Sequence, residues 1–166
     1  MDRLWAPWRM EYIEKVDSGG ECILCAKPRE RNDDRNHIIH RGEHAYIILN
    51  AYPYSSGHLM VAPYRHTADL LDLTEEELCA MMTETRLGTR LLTAVMSPQG
   101  FNVGLNIGRA AGAGIADHLH LHVVPRWSGD TNFMPVIGDT KVLPQALADT
   151  YRALRGALEE LGEGQG

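Results

Sequence analysis

The segment Asp117 to Trp127, "DHLHLHVVPRW", places His118, His120 and His122 at every second position. On an extended chain such spacing projects three imidazoles from one face, while Leu119, Leu121 and Val123 point to the other. A neutral imidazole nitrogen is a competent nucleophile near pH 7, and a ring N–H donates well to phosphate oxygens. One metal held by all three would strain the geometry: residues i and i+4 of a strand lie roughly 13 Å apart, against metal–nitrogen distances of about 2.0 to 2.1 Å. The three histidines therefore divide their roles. Just upstream, "GLNIGRAAGAGIAD" is a glycine-rich loop in which backbone N–H groups approach a ligand closely, so loop and histidines together read as an anion cradle beside a nucleophile.

A second group with chemistry is "CILC", Cys22 and Cys25. Alone it is a redox pair or half of a metal site, and no thioredoxin-like βαβ pattern surrounds it. Cys79 lies inside a helical pattern and is expected to be a buried thiol. His37, His40 and His44 lack such partners in the sequence and are expected at the surface or in turns.

These groups need a scaffold. Five apolar runs have strand character: 37–40, 45–50, 58–63, 101–107 and 118–125. The connection "AYPYSSG" is of hairpin length, which favours antiparallel pairing. Between the third and fourth runs, Thr74 with Glu77 predicts a capping box, and Leu78, Met81, Leu91, Leu92 and Val95 predict the apolar face of a long helix ending near Pro98. Pro144 suits the first turn of a second helix, whose stripe of Leu147, Tyr151, Leu154, Leu158 and Leu161 reads as core. The 128–142 loop covers a site or connects elements. The pattern describes an α+β domain, an antiparallel sheet covered on one face. One domain over 1–161 is expected, with a short N-terminal extension and a disordered 162–166 tail.

At 166 residues, 44% hydrophobic and 23% charged, the composition is that of a globular domain, and no run nears the roughly 20 apolar residues of a membrane span. "MDRLWAPWRM" lacks the apolar core of a signal peptide, so a cytoplasmic protein is expected. A net charge of −6 with no basic stripe argues against a long nucleic acid but permits a small phosphate ligand.

The run from His118 to Val124 resembles the His-x-His-x-His-x-x signature of the histidine triad (HIT) superfamily of nucleotidyl hydrolases and transferases. Asn50, Pro53 and "GHLMVAPYRH" from Gly57 to His66 resemble a second family block, and with "GLN" at Gly104 to Asn106 the likeness covers about residues 22–127. "RLWAPWRM" and "PRWSGDTNFMPVI" are similar to the bacterial branch that includes diadenosine tetraphosphate phosphorylases.

The resemblance implies a HIT-like fold of about five antiparallel strands with one long helix and a C-terminal helix. It assigns His120 as the nucleophile, His122, His58 and Asn106 to the phosphates, and Asn50 to the ribose, with Ile48 and Leu49 beside the base. Trp127 falls near the polyphosphate. Where relatives carry a hydroxyl residue, this chain reads Gly112-Ala113-Gly114, so backbone N–H groups take that contact. Cys22 and Cys25 join His66 and His118 as a structural zinc set. The implied activity is cleavage of an adenine dinucleoside polyphosphate through a nucleotidyl-histidine, with AMP and ATP among the ligands. Phosphate as co-substrate makes the enzyme a phosphorylase, and water makes it a hydrolase. A purine nucleoside phosphoramidase and a non-catalytic zinc-containing nucleotide-binding module are the alternatives. A homodimer is implied as well.

Overall fold

The computed structural model describes residues 21–130 and 145–162. The N-terminal extension, most of the 128–142 loop, Pro144 and nearly all of the expected disordered tail lie outside the described residues.

The element order is α1 (Ile23–Arg29), α2 (Asp33–Asn36), β1 (Ile38–Arg41), β2 (Ala45–Leu49), β3 (Leu59–Pro63), α3 (Glu75–Met96), β4 (Gly100–Leu105), β5 (Leu121–Arg126) and α4 (Leu147–Glu160). The five strands form one sheet in the order β1-β2-β3-β5-β4, antiparallel throughout. The expected strand count and class hold, and the last strand starts later than predicted. Its pairing begins at Leu121, so of the three histidines only His122 lies on the ladder. His118 and His120 lie in the irregular chain before it, because the incoming backbone hydrogen-bonds elsewhere: the Leu119 N–H donates to the Thr67 carbonyl at 2.7 Å.

Alternation gives the sheet two differently used faces. Leu49, Leu59, Val61, Leu121 and Val123 face α3 and α4, and with Met81, Leu91, Leu92, Leu154 and Leu158 they form the main core. Ile38, Tyr46, Ile48, Met60 and Ala62 point to the other face, where Leu24 and Ile115 cover them. The helix α3 forms as expected. Thr74 and Glu77 complete a reciprocal capping box, three glutamates in the first turn face the positive helix end, and Ser97 closes it in a left-handed conformation before Pro98.

Four expectations on these helices and strands are corrected. Leu161 is 39% exposed because it lies one residue beyond the end of α4, and Leu78 is 37% exposed because it sits past the arc of α3 that meets the sheet. Cys79 is exposed for the same reason. His40 is not a surface residue: its Nδ1 lies 2.7 Å from the buried Glu84 carboxylate of α3. No helix among the described residues is long and apolar enough to cross a membrane.

Candidate active site and metal cluster

One row of residues runs across the second face of the sheet, Ile38, Ile48, Met60, His122 and Gly104, each paired with the next. His122 thus stands beside a position with no side chain, and nothing lies within 4 Å of where a Cβ on Gly104 would be. A substrate has room there.

His58 immediately precedes β3 on the same face and is fully buried. The tight entry to it depends on Gly57, whose φ of +78° suits glycine and whose missing Cβ would otherwise lie 2.7 Å from Met96 and 2.8 Å from Leu92. The Tyr54 N–H donates to His58 Nδ1 at 3.0 Å, so the neutral ring carries its proton on Nε2. His58 Nε2 lies 2.9 Å from His122 Nδ1 and donates to it. The neutral His122 ring then carries its own proton on Nε2, as a donor.

His120 has the opposite arrangement. Its Nδ1–H donates to the His118 carbonyl at 2.8 Å, which leaves Nε2 a bare acceptor. Burial holds its pKa below the ordinary imidazole range, against the opposing effect of that bond, so the ring stays neutral near pH 7. The rings of His120 and His122 are 4.8 Å apart, centroid to centroid. A bare nitrogen and an N–H donor thus stand side by side, the pair that attack on phosphorus and departure of an oxyanion require.

Tyr54 was not singled out in the sequence. Besides its N–H, its ring stacks on His58 at 4.7 Å and lies 5.9 Å from His122. The only signal for it was an aromatic residue in the short loop before a functional histidine.

Other expected site residues fall as follows. Asn50 ends β2; its side-chain oxygen accepts from the Tyr52 N–H at 2.9 Å and its amide lies 3.4 Å from His58 Nδ1. Asn106 follows β4 directly and is half-buried. Ile48 shares the face of His122, while Leu49 points to the main core. In the glycine loop, the amides of Gly112 and Ala113 donate to the loop carbonyls of Arg109 and Gly108, so the turn itself uses N–H groups that the sequence assigns to an anion. Gly114 is half-buried, and Ile115 anchors the loop in the second-face cluster. Trp127 lies five residues beyond His122, about 16 Å along an extended chain, at the other end of β5. Asp130 holds that turn through Arg126 and the Trp127 N–H.

Behind the histidines, Cys22, Cys25, His66 and His118 gather with their ligand atoms all within 4.8 Å of one another. His118 Nε2–H donates to the Pro63 carbonyl at 2.9 Å, which turns the bare Nδ1 toward the thiols, 3.4 Å from both Cys22 and Cys25 Sγ. Cys25 Sγ is also 3.4 Å from His66 Nδ1. The S···N edge of a tetrahedron with Zn–S of about 2.3 Å and Zn–N of about 2.1 Å is about 3.6 Å, so the donor set fits zinc. Burial, then the neighbouring Cys22, pushes the Cys25 thiol up to about 11, so a bound cation is what would ionise it.

A model of the HIT domain matches residues 31–129 of the chain. The chain belongs to the HIT family. It is 44% identical over 161 residues, 93% of this chain and 83% of the relative, to the AP-4-A phosphorylase of Mycobacterium tuberculosis. Among solved structures, a hypothetical histidine triad nucleotide-binding protein of Sulfolobus tokodaii superposes with a TM-score of 0.69 at 25% identity, covering 87% of this chain and 97% of its own. A Zn-bound histidine triad family protein of Mycobacterium smegmatis gives 0.62 at 26% identity, covering 95% and 99%. These neighbours share the fold described above, and this HIT chain carries its triad as one ladder histidine and two that precede it.

The His58–His122 contact predicts a spectroscopic outcome. In His58→Ala the donor to His122 Nδ1 is lost, and imidazole ¹⁵N NMR should report His122 changing from a single Nε2–H tautomer to a mixture. An unchanged single tautomer would show that other groups set it.

Proposed function

We propose that the chain transfers a nucleoside monophosphate from a dinucleoside polyphosphate to inorganic phosphate through a covalent adduct on His120. The observation that carries this reading is the opposed state of two neighbouring rings, a bare Nε2 on His120 and an Nε2–H on His122. His120 Nε2 attacks the α-phosphorus; the N–P bond forms as the bond to the bridging oxygen breaks. The departing nucleoside polyphosphate accepts a hydrogen bond from His122 Nε2–H, which His58 orients. The positive charge gained by the His120 ring is met by the His118 carbonyl already bonded to Nδ1–H. Phosphate then attacks the same phosphorus, the N–P bond breaks, and a nucleoside diphosphate leaves with His120 neutral again. In this reading Asn106 binds the phosphates, Asn50 the ribose, and Ile48 borders the base.

The 44% identity to an AP-4-A phosphorylase supports diadenosine tetraphosphate as substrate and phosphate as acceptor. Diadenosine tetraphosphate with phosphate should yield ATP plus ADP. AMP plus ATP, regardless of phosphate, would make the enzyme a hydrolase instead. His120→Ala should lose at least about a thousandfold in turnover, and His122→Ala about a hundredfold with the acid-labile adduct still trappable on His120. Full turnover by His120→Ala would overturn the assignment.

Cys22, Cys25, His66 and His118 would hold a zinc ion, which when bound supplies a crosslink between three separate chain segments. The Zn-bound relative supports this reading. One zinc per chain and a melting temperature lowered by chelation are expected; metal-free protein from a reducing preparation, with melting unaffected by chelator, would refute it.

A homodimer through β4 completes the proposal. β4 is a sheet edge carrying Val103, 46% exposed, with Ile107 just beyond it, 45% exposed. At the opposite edge Arg155 already donates to the Ile39 carbonyl of β1. A second copy pairing along β4 would cover the exposed edge. Sedimentation should give a dimer that Val103→Lys converts to monomer; a wild-type monomer at micromolar concentration would rule it out.

A further inference from the structure

We infer that His118 is a positioning residue that carries the constraint of the metal cluster into the nucleophile, so that cluster occupancy decides the tautomer and aim of His120. This rests on His120 being the nucleophile of the proposed reaction.

The path is short and continuous. His120 owes its bare Nε2 to one acceptor, the main-chain carbonyl of His118. That carbonyl lies outside the sheet ladder, which begins only at Leu121, so strand pairing does not orient it. Its residue is held instead by side-chain and flanking contacts. The His118 ring is anchored on one side by the Pro63 carbonyl at 2.9 Å and on the other by the two thiols at 3.4 Å. The next residue is tied by the 2.7 Å bond from the Leu119 N–H to the Thr67 carbonyl, and Thr67 follows His66, the other imidazole of the cluster. Two neighbouring segments, 63–67 and 118–120, are therefore joined at both ring positions of the cluster.

With the four donors drawn together, the His118 backbone has one orientation and its carbonyl faces His120 Nδ1. With the cluster open, the His118 ring keeps only the Pro63 bond, and the His118–Leu119 peptide is held by the Leu119 N–H to Thr67 bond alone, on a segment no longer fixed through His66. His120 is then no longer obliged to place its proton on Nδ1, and a proton on Nε2 removes the lone pair needed for attack. The effect falls on the chemical step, because His58, His122 and Asn50 keep contacts with one another and with the Tyr54 N–H that do not pass through His118. Reactions limited by chemistry should lose kcat and retain KM.

The test uses the zinc-loaded full chain and the same chain after chelation, at a temperature where circular dichroism reports both as folded. Imidazole ¹⁵N NMR should give His120 as a single Nδ1–H tautomer when loaded and as a mixture when stripped. In the same samples kcat on diadenosine tetraphosphate should fall at least tenfold with KM changed less than threefold, and added zinc should restore both readouts. His66→Cys, which keeps a four-donor thiolate-rich set, should behave as loaded protein when given zinc, while His66→Ala should behave as stripped. A folded, stripped protein with an unchanged His120 tautomer would overturn the inference. So would a tautomer lost only in step with global unfolding at every temperature, since the metal would then serve stability alone. The NMR readout needs no substrate, so failure here is distinguishable from a failure of the proposed reaction.

Discussion

A neutral imidazole has one donor and one acceptor nitrogen, and main-chain partners decide between them at His58, His118 and His120, while His58 in turn decides for His122. The Pro63 carbonyl takes the Nε2 proton of His118, the His118 carbonyl takes the Nδ1 proton of His120, and the Tyr54 amide turns His58 the opposite way. From these choices follow an Nδ1 on His118 that faces the two thiols, a bare Nε2 on His120 and, through His58, a donating Nε2 on His122. Chemically identical side chains thus present different nitrogens because the partner around each differs.

The sheet serves this arrangement by separating its faces. The face toward α3 and α4 buries Leu49, Leu59, Val123 and their neighbours into the main core, and the stability of the domain comes chiefly from there. The opposite face is free for chemistry near β5, where Gly104 leaves space beside His122, and is closed nearer β1, where Leu24 and Ile115 cover Tyr46 and Ile48. Tyr46 further ties the cysteine-bearing helix α1 to this face, its hydroxyl donating to the Leu24 carbonyl at 2.6 Å. The Cys22, Cys25, His66 and His118 cluster and the His120 and His122 pair therefore lie together at this face, on chain that immediately adjoins α1, β3 and β5.

Much of this was legible in the residue pattern. Five apolar runs, the Thr74/Glu77 cap and the Leu154/Leu158 stripe predict the elements within a few residues, because burial periodicity and capping are local effects. The pattern missed wherever a distant partner competes. The alternating histidines read as continuous strand, yet the Thr67 carbonyl captures the Leu119 amide and delays pairing to Leu121. His40 looked like a surface residue until Glu84, three elements further along the chain, came to lie against it. Cys79 was expected inside, and the width of the helix arc that meets the sheet leaves it outside.

By itself the sequence determined which chemistry is available: two thiols three residues apart, imidazoles at alternate positions, and a glycine-rich loop just before them. Side-chain identity carries that information directly. Only the tertiary structure decided which nitrogen of each ring is bare, that Tyr54 belongs to the site, and that Trp127 lies at the far end of β5 from His122. Those facts depend on backbone carbonyls and amides, which every residue possesses alike, and their positions exist only once strands distant in sequence lie side by side.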